Sequence, residues 1–119
     1  MKIAWGITGA GHFLCESFEI FKKLKETAAD LKVTAFVSRA GEEVLRMYGL
    51  ADELCRISPG SYLEECFFER EQGASIPKAG RFLLQKYDAL IISPATSNTA
   101  KIAYGIADTI VTNAVAQAV

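Results

Sequence analysis

Apolar runs of strand length recur along this chain, and the first two lead through short turns into stretches with helical spacing. "KIAWGI", Lys2 to Ile7, ends in a turn carrying Gly9 and Gly11. In the following "HFLCESFEIFKKLKETAA", Phe13, Phe18, Phe21, Leu24 and Ala28 recur near the helical period, and Lys22, Lys23, Lys25 and Glu26 fill the other face. "LKVTAFV", Leu31 to Val37, repeats the unit: Ser38 leads into "AGEEVLRMYGL", whose glutamates fall in a first helical turn, where they favour the helix dipole. Strands alternating with helices at this spacing require right-handed crossovers and a parallel sheet covered on both faces. The expected fold is α/β, a Rossmann-like (flavodoxin-like) three-layer sandwich.

After Leu50 the pattern blurs. Pro59-Gly60 marks a turn and Pro77 a boundary. We expect a short strand near Glu53 to Ile57 and an irregular or mobile excursion around Glu64 to Ser75, in which the charged "FFEREQ" reads as a solvated loop, with folding over a ligand or meeting a partner as the alternatives. "KAGRFLLQK" reads as a helical turn or two. "YDALIIS" is a strand apolar enough to be buried on both faces, and "SNTAKIAYGIA" a helix closed near Gly105. Asp108 to Val111 then reads as a further strand and "TNAVAQAV" as the start of a helix. The apolar ending "VAQAV" has no polar cap, glycine stop or returning strand, so a final strand beyond Val119 is expected.

The 119 residues make one domain, 1–119, with enough apolar content for a single core. Thirteen basic against fourteen acidic residues, in no long run of either sign, argue against nucleic acid or an anionic membrane as partner. The start, Met1-Lys2 into "IAWGI", is too soon interrupted by glycine for a signal peptide or a membrane span, so a cytoplasmic location is expected. Cys15, Cys55 and Cys66 are odd in number and contain no Cys-x-x-Cys; they read as reduced structural thiols, and no metal site is expected.

Ligands of open parallel sheets bind outside the carboxyl ends of the strands. Three loops qualify: Thr8 to Phe13, Ser38-Arg39, and Ser93 to Thr99. In the first, backbone N–H groups of Gly9, Ala10 and Gly11, with the Thr8 hydroxyl, can hold a phosphate. As a dinucleotide fingerprint the loop is poor, because Leu14 stands where a third glycine belongs. The second strand also ends in Ser38-Arg39 and not in the acid that grips an adenine ribose, so a mononucleotide fits better. In the third loop Thr96, Ser97, Asn98 and Thr99 sit where a helix needs one cap, which leaves hydroxyls and an amide over; Asn98 offers both donors and an acceptor for the edge of a planar heterocycle.

"PATSNT" followed by "AKIAYGIAD" and "TNA" resembles the Pro-Ala-Ser/Thr-x-Asn-Thr signature of the homo-oligomeric flavin-containing decarboxylase superfamily of FMN flavoproteins. "GITGAGH" and the Ser38 loop are similar to its other two flavin-phosphate segments, in order. The run from Ser75 to Ile102 looks closer to the archaeal-type flavoproteins and dihydromethanopterin reductases (acceptor) of that superfamily, and the resemblance covers essentially the whole chain. It implies FMN, with Thr8, Gly9, Ala10, Gly11 and His12 around the phosphate and Ser38 and Arg39 completing it. Thr96, Ser97, Asn98 and Thr99 would meet the flavin and its ribityl chain, beside Pro94 and Ala95 at the ring.

Decarboxylating members rely on a histidine before the signature strand; "ASIPKAGRFLLQK" has none, and His12, the one histidine, lies in the phosphate loop. The flavin prenyltransferase branch carries a lysine where Asn98 stands. With no evident acid, base or nucleophile, the resemblance implies an FMN-dependent oxidoreductase or electron-transfer flavoprotein. Its electrons would come from ferredoxin or a reduced nicotinamide, NAD(P)H, and pass to a pterin-like acceptor such as a dihydropterin. A prenyltransferase, a decarboxylase and a non-enzymatic flavin-binding regulatory subunit are the alternatives. The resemblance further implies homo-oligomers built from trimers. Trp5, Phe67-Phe68 and the apolar helices at Phe13 to Phe21 and Ala103 to Val119 offer more apolar surface than so small a monomer needs.

Overall fold

A computed structural model describes residues 1–74, 81–82 and 84–118. Four parallel strands, β1 (Lys2–Ile7), β2 (Lys32–Val37), β3 (Cys66–Phe68) and β4 (Ala89–Ile92), form one sheet in the order β3-β2-β1-β4. The register pairs Trp5 with Ala35 on one side and with Ile91 on the other, so β1 runs through the middle. Helices α1 (Leu14–Thr27), α2 (Arg39–Met47), α3 (Ala51–Ile57), α4 (Glu69–Gln72) and α5 (Ile110–Ala118) join them, with a 3₁₀ segment at Ser97–Tyr104.

The period-two alternation of the strands separates two cores. Ile3, Trp5, Ile7, Val33, Ala35 and Val37 point to one face, where Leu14, Phe18 and Phe21 of α1, Leu45 of α2, and Leu54 and Ile57 of α3 cover them. Trp5 stacks on Phe21 at 4.0 Å between ring centroids and meets Phe18 edge-on at 4.9 Å. On the other face Ala4, Phe36 and Phe67 pack with Ile110 and Val111 of α5, flanked by Phe82, Tyr87, Leu90 and Ile92. The sheet is therefore the middle of three layers, as expected. Trp5 and Phe67, counted from sequence among surplus apolar surface, belong to these cores.

Several local readings are corrected. Glu53 to Ile57 is not a strand but part of α3: Leu54 and Ile57, three apart, bury on one side, and Asp52 and Glu53 occupy the first turn. The Glu64 to Ser75 excursion holds an ordered strand and a helical turn, because Phe67 and Phe68 pair with Phe36 and Val37 of β2. β4 is not buried on both faces: it is an edge strand whose residues alternate between exposed and half-buried. Asp108 to Val111 does not form a strand. Thr109 Oγ1 accepts from the Thr112 N–H at 3.1 Å and Thr112 Oγ1 from the Thr109 N–H at 3.0 Å, a reciprocal cap that starts α5 at Ile110. The helix expected over Ser97 to Ala107 is the 3₁₀ segment, closed by Gly105 at φ 78°. Lys78, Ala79, Gly80 and Leu83 of "KAGRFLLQK", together with Ser75 and Pro77, lie outside the described residues. The three cysteines are free, but Cys15 and Cys55 are exposed, and Cys66 alone sits against the core.

Candidate functional site

The loops after β1, β2 and β4 meet at the carboxyl end of the sheet around a cavity of about 400 Å³. Of the residues expected there, Thr8, Gly9, Ser38, Arg39, Thr96, Asn98 and Thr99 line it. Ala10, Gly11, His12, Pro94, Ala95 and Ser97 are not part of the lining. His12 is exposed and packs on the Phe13 ring at 3.9 Å between centroids. Gly11 makes room for Tyr48, whose hydroxyl lies 3.0 Å from where a Cβ would stand. A Cβ on Gly9 would come within 2.6 Å of the Ala40 Cβ, so the close approach that this glycine permits is that of α2.

Thr8 is buried and bridges two loops. Its hydroxyl donates to the Pro94 carbonyl at 2.6 Å and accepts from the Thr96 N–H at 3.1 Å. Nearby, Trp5 Nε1 donates to the Ser93 carbonyl at 2.7 Å, and the Ser17 and Ser93 hydroxyls lie 2.6 Å apart. The signature loop is thus fastened to β1 and α1 by side chains remote in sequence. Ser38 caps α2, its Oγ accepting from the Gly41 N–H at 3.1 Å. The Thr96 and Thr99 hydroxyls bond each other at 3.0 Å, while the Asn98 side chain, exposed, makes no hydrogen bond among the described residues. The N–H groups of Gly9, Ala10, Gly11 and His12 find no acceptor among the described residues either.

Sequence reasoning missed Ala40, Glu69, Lys101, Thr109 and Thr112, which complete the lining. Lys101 pairs with Asp108, and its hydrogen bond holds the Asp108 carboxyl below the usual carboxylate range. Glu69, at the start of α4, is 7% exposed, and its Oε2 accepts from the Arg39 backbone N–H at 2.9 Å. Its neighbour Arg70 grips buried Glu42 of α2 through Nε to Oε1 at 3.1 Å and Nη2 to Oε2 at 3.1 Å, with Arg46 Nη2 at 2.9 Å from the same Oε2. These hydrogen bonds, from Arg70 above all, push the Glu42 carboxyl below its ordinary value. The pair clamps α4 onto α2 and fixes Glu69 at the cavity wall. "FFEREQ" carried the only hint of Glu69; a Lys in a helical pattern such as Lys101 reads as solvated.

The lining fits an anionic, polyol-bearing heterocycle. Gly9 brings an unengaged backbone N–H to the cavity, two cations flank it, threonine hydroxyls and an amide line a wall, and the volume falls in the range of small-ligand sites. No histidine or cysteine lines it. Among the described residues no cluster of three or more His, Cys, Asp or Glu could hold a metal ion, and no helix is long and apolar enough to cross a membrane.

A family model described as Flavoprotein matches residues 1–119. Over 119 residues the chain is 66% identical to a dihydromethanopterin reductase (acceptor) of Methanosarcina mazei and 63% identical to one of Methanocaldococcus jannaschii. Each alignment takes in 99% of this chain, and 50% and 48% of the respective relative, so the chain spans about half the length of the curated relatives it matches. An uncharacterized protein of the latter organism is 44% identical over 122 residues, covering 99% of this chain and 60% of that protein.

Proposed function

Because this chain belongs to the Flavoprotein family, which implies a flavin cofactor, we propose that it binds FMN in the cavity at the carboxyl end of the sheet. In this reading it is the flavin half of an oxidoreductase that reduces a dihydropterin. FMN, when bound, supplies hydride or single-electron transfer. The protein's part is to bind and orient. The Gly9 N–H, with the side chains of Arg39 and Lys101, would hold the phosphate end, and Thr96, Asn98 and Thr99 would meet the rest of the cofactor. The observation that carries the reading is that Asn98 reaches the cavity while making no hydrogen bond within the described chain. A side chain left over by the fold is available to a ligand.

The relatives' names support a dihydromethanopterin-like acceptor. The donor, ferredoxin or NAD(P)H, the cytoplasmic location and a trimer-based homo-oligomer complete the reading as expected from the sequence. Exposed Phe13 just before α1, Ile20 and Leu24 of α1, and Ile91 of edge strand β4 support association. Asn98→Ala tests the central claim, since its side chain holds nothing in the fold. FMN affinity should fall about 10-fold, the worth of one good hydrogen bond to the ligand, with the thermal midpoint unchanged. Unchanged affinity would remove the reading's main support. Fluorescence titration with FMN measures both proteins.

A further inference from the structure

At the end of β2, where a dinucleotide-binding chain carries a ribose-gripping acid, this chain has Ser38-Arg39. The fold supplies that acid from elsewhere. Glu69, thirty positions after Arg39, comes off the end of β3, and its carboxylate sits on the Arg39 N–H at the first turn of α2. It lines the cavity, is 7% exposed, and forms no ion pair among the described residues. Arg70, the cation beside it in sequence, is occupied with Glu42.

We propose that Glu69 is a specificity-determining residue: it accepts hydrogen bonds from hydroxyls of the bound ligand. The inference rests on the flavin-binding reading. A carboxylate is an acceptor only, so whatever it meets in the cavity must present O–H or N–H donors. The α2 N-terminus, where the dipole and free N–H groups attract an anion, already holds this carboxylate. The pyrimidine edge of an isoalloxazine presents one N–H between two carbonyl oxygens and suits a carboxylate poorly. A chain of hydroxyls suits it well. Such hydroxyls come either from the ribityl chain of a flavin or from the ribose of a nicotinamide nucleotide.

Glu69→Gln separates these possibilities without dismantling the site, because the amide oxygen still accepts from the Arg39 N–H. Wild type and E69Q are titrated with lumiflavin, which lacks the ribityl chain, and with riboflavin, FMN and NADH, the thermal midpoint serving as a check on folding. The expected result is about 10-fold weaker binding of both riboflavin and FMN, as for a lost hydrogen bond to a charged acceptor, with lumiflavin unchanged. A loss confined to NADH also supports the proposal and identifies the ribose as the source. Three results overturn it: no change with any of the four, an equal loss for lumiflavin, or tighter FMN with riboflavin unchanged, which would mark Glu69 as a phosphate neighbour. Wild type that binds neither riboflavin nor FMN would instead sink the flavin reading, and this inference with it.

Discussion

Thr8 was expected to contact phosphate, and its neighbours in sequence give no sign of another duty. Its hydroxyl partners, Pro94 and Thr96, are 86 and 88 positions away, and no local pattern encodes a bond across that distance. At 5% exposure, losing this hydroxyl leaves a carbonyl and an N–H unpaired away from water. Thr8→Val keeps the shape and removes the bridge, so we expect about 1–3 kcal/mol of destabilisation by urea unfolding, with Thr8→Ser recovering most of it. Glu69 was illegible for the same reason, being assigned to a charged loop until β3 brought it beside Arg39. Asn98, by contrast, was legible, because an amide in excess of what a helix start needs can be counted from the sequence alone. The thiols divide by burial: desolvation pushes Cys66 up to about 12, while Cys15 and Cys55 stand in solvent.

The elements that position the cavity were read correctly where periodicity was strong, as in β1, α1, β2 and α2. They were misread where a short apolar run fits either period. "ELCRI" and "DTIV" contain too few residues to separate a strand from a helical turn; tertiary burial of Leu54 and Ile57, and the reciprocal Thr109–Thr112 cap, decide for helix. Strand β3 escaped notice because three residues carry almost no pattern, and its partner β2 supplies the order. Helix α2 owes its seat to a glycine whose role the sequence does not advertise. A Cβ on Gly41 would lie 2.6 Å from the Ile7 carbonyl oxygen and 3.2 Å from the Ser38 Oγ. Backbone cannot yield as a long side chain would. Gly41→Ala must therefore lift α2 off the end of β1, despite alanine's better helix propensity, and we expect about 1–3 kcal/mol of destabilisation, as for overpacking. It should also weaken FMN binding, because Ser38, Arg39 and Ala40 move with the helix; a variant as stable as wild type would contradict this.

Across the whole molecule, ion pairs fasten the segments that the sheet does not. Arg81 meets Glu65 in two parallel bonds of 2.9 and 2.8 Å and also donates to the Tyr87 hydroxyl, tying the approach to β4 onto β3. Lys25 of α1 holds Glu64 at 2.7 Å. Hydrogen bonds from these cations hold the carboxyls of Glu65 and Glu64 below their ordinary 4.5, as Arg70 does for Glu42. A depressed folded-state value means stability that is fully present above about pH 4.5 and lost as the pH falls through the lower folded values. The thermal midpoint should accordingly hold steady from neutral pH to about 5 and drop below 4.5, and Glu65→Gln should lower the plateau while making the acid decline shallower. A decline of unchanged steepness in the variant would count against Glu65. The layer order and the cavity-bearing end of the sheet were legible at this scale because strand–helix alternation dictates them. The edge position of β4 was not, since an apolar run looks alike at an edge and at a centre. Trp5 is the chain's single tryptophan, sealed from solvent, stacked on Phe21, and bonded through its indole N–H to the carbonyl that opens the signature loop. The molecule thus carries its own optical gauge: one fluorophore, free of competing tryptophan emission, mounted where a shift of that loop must change its surroundings.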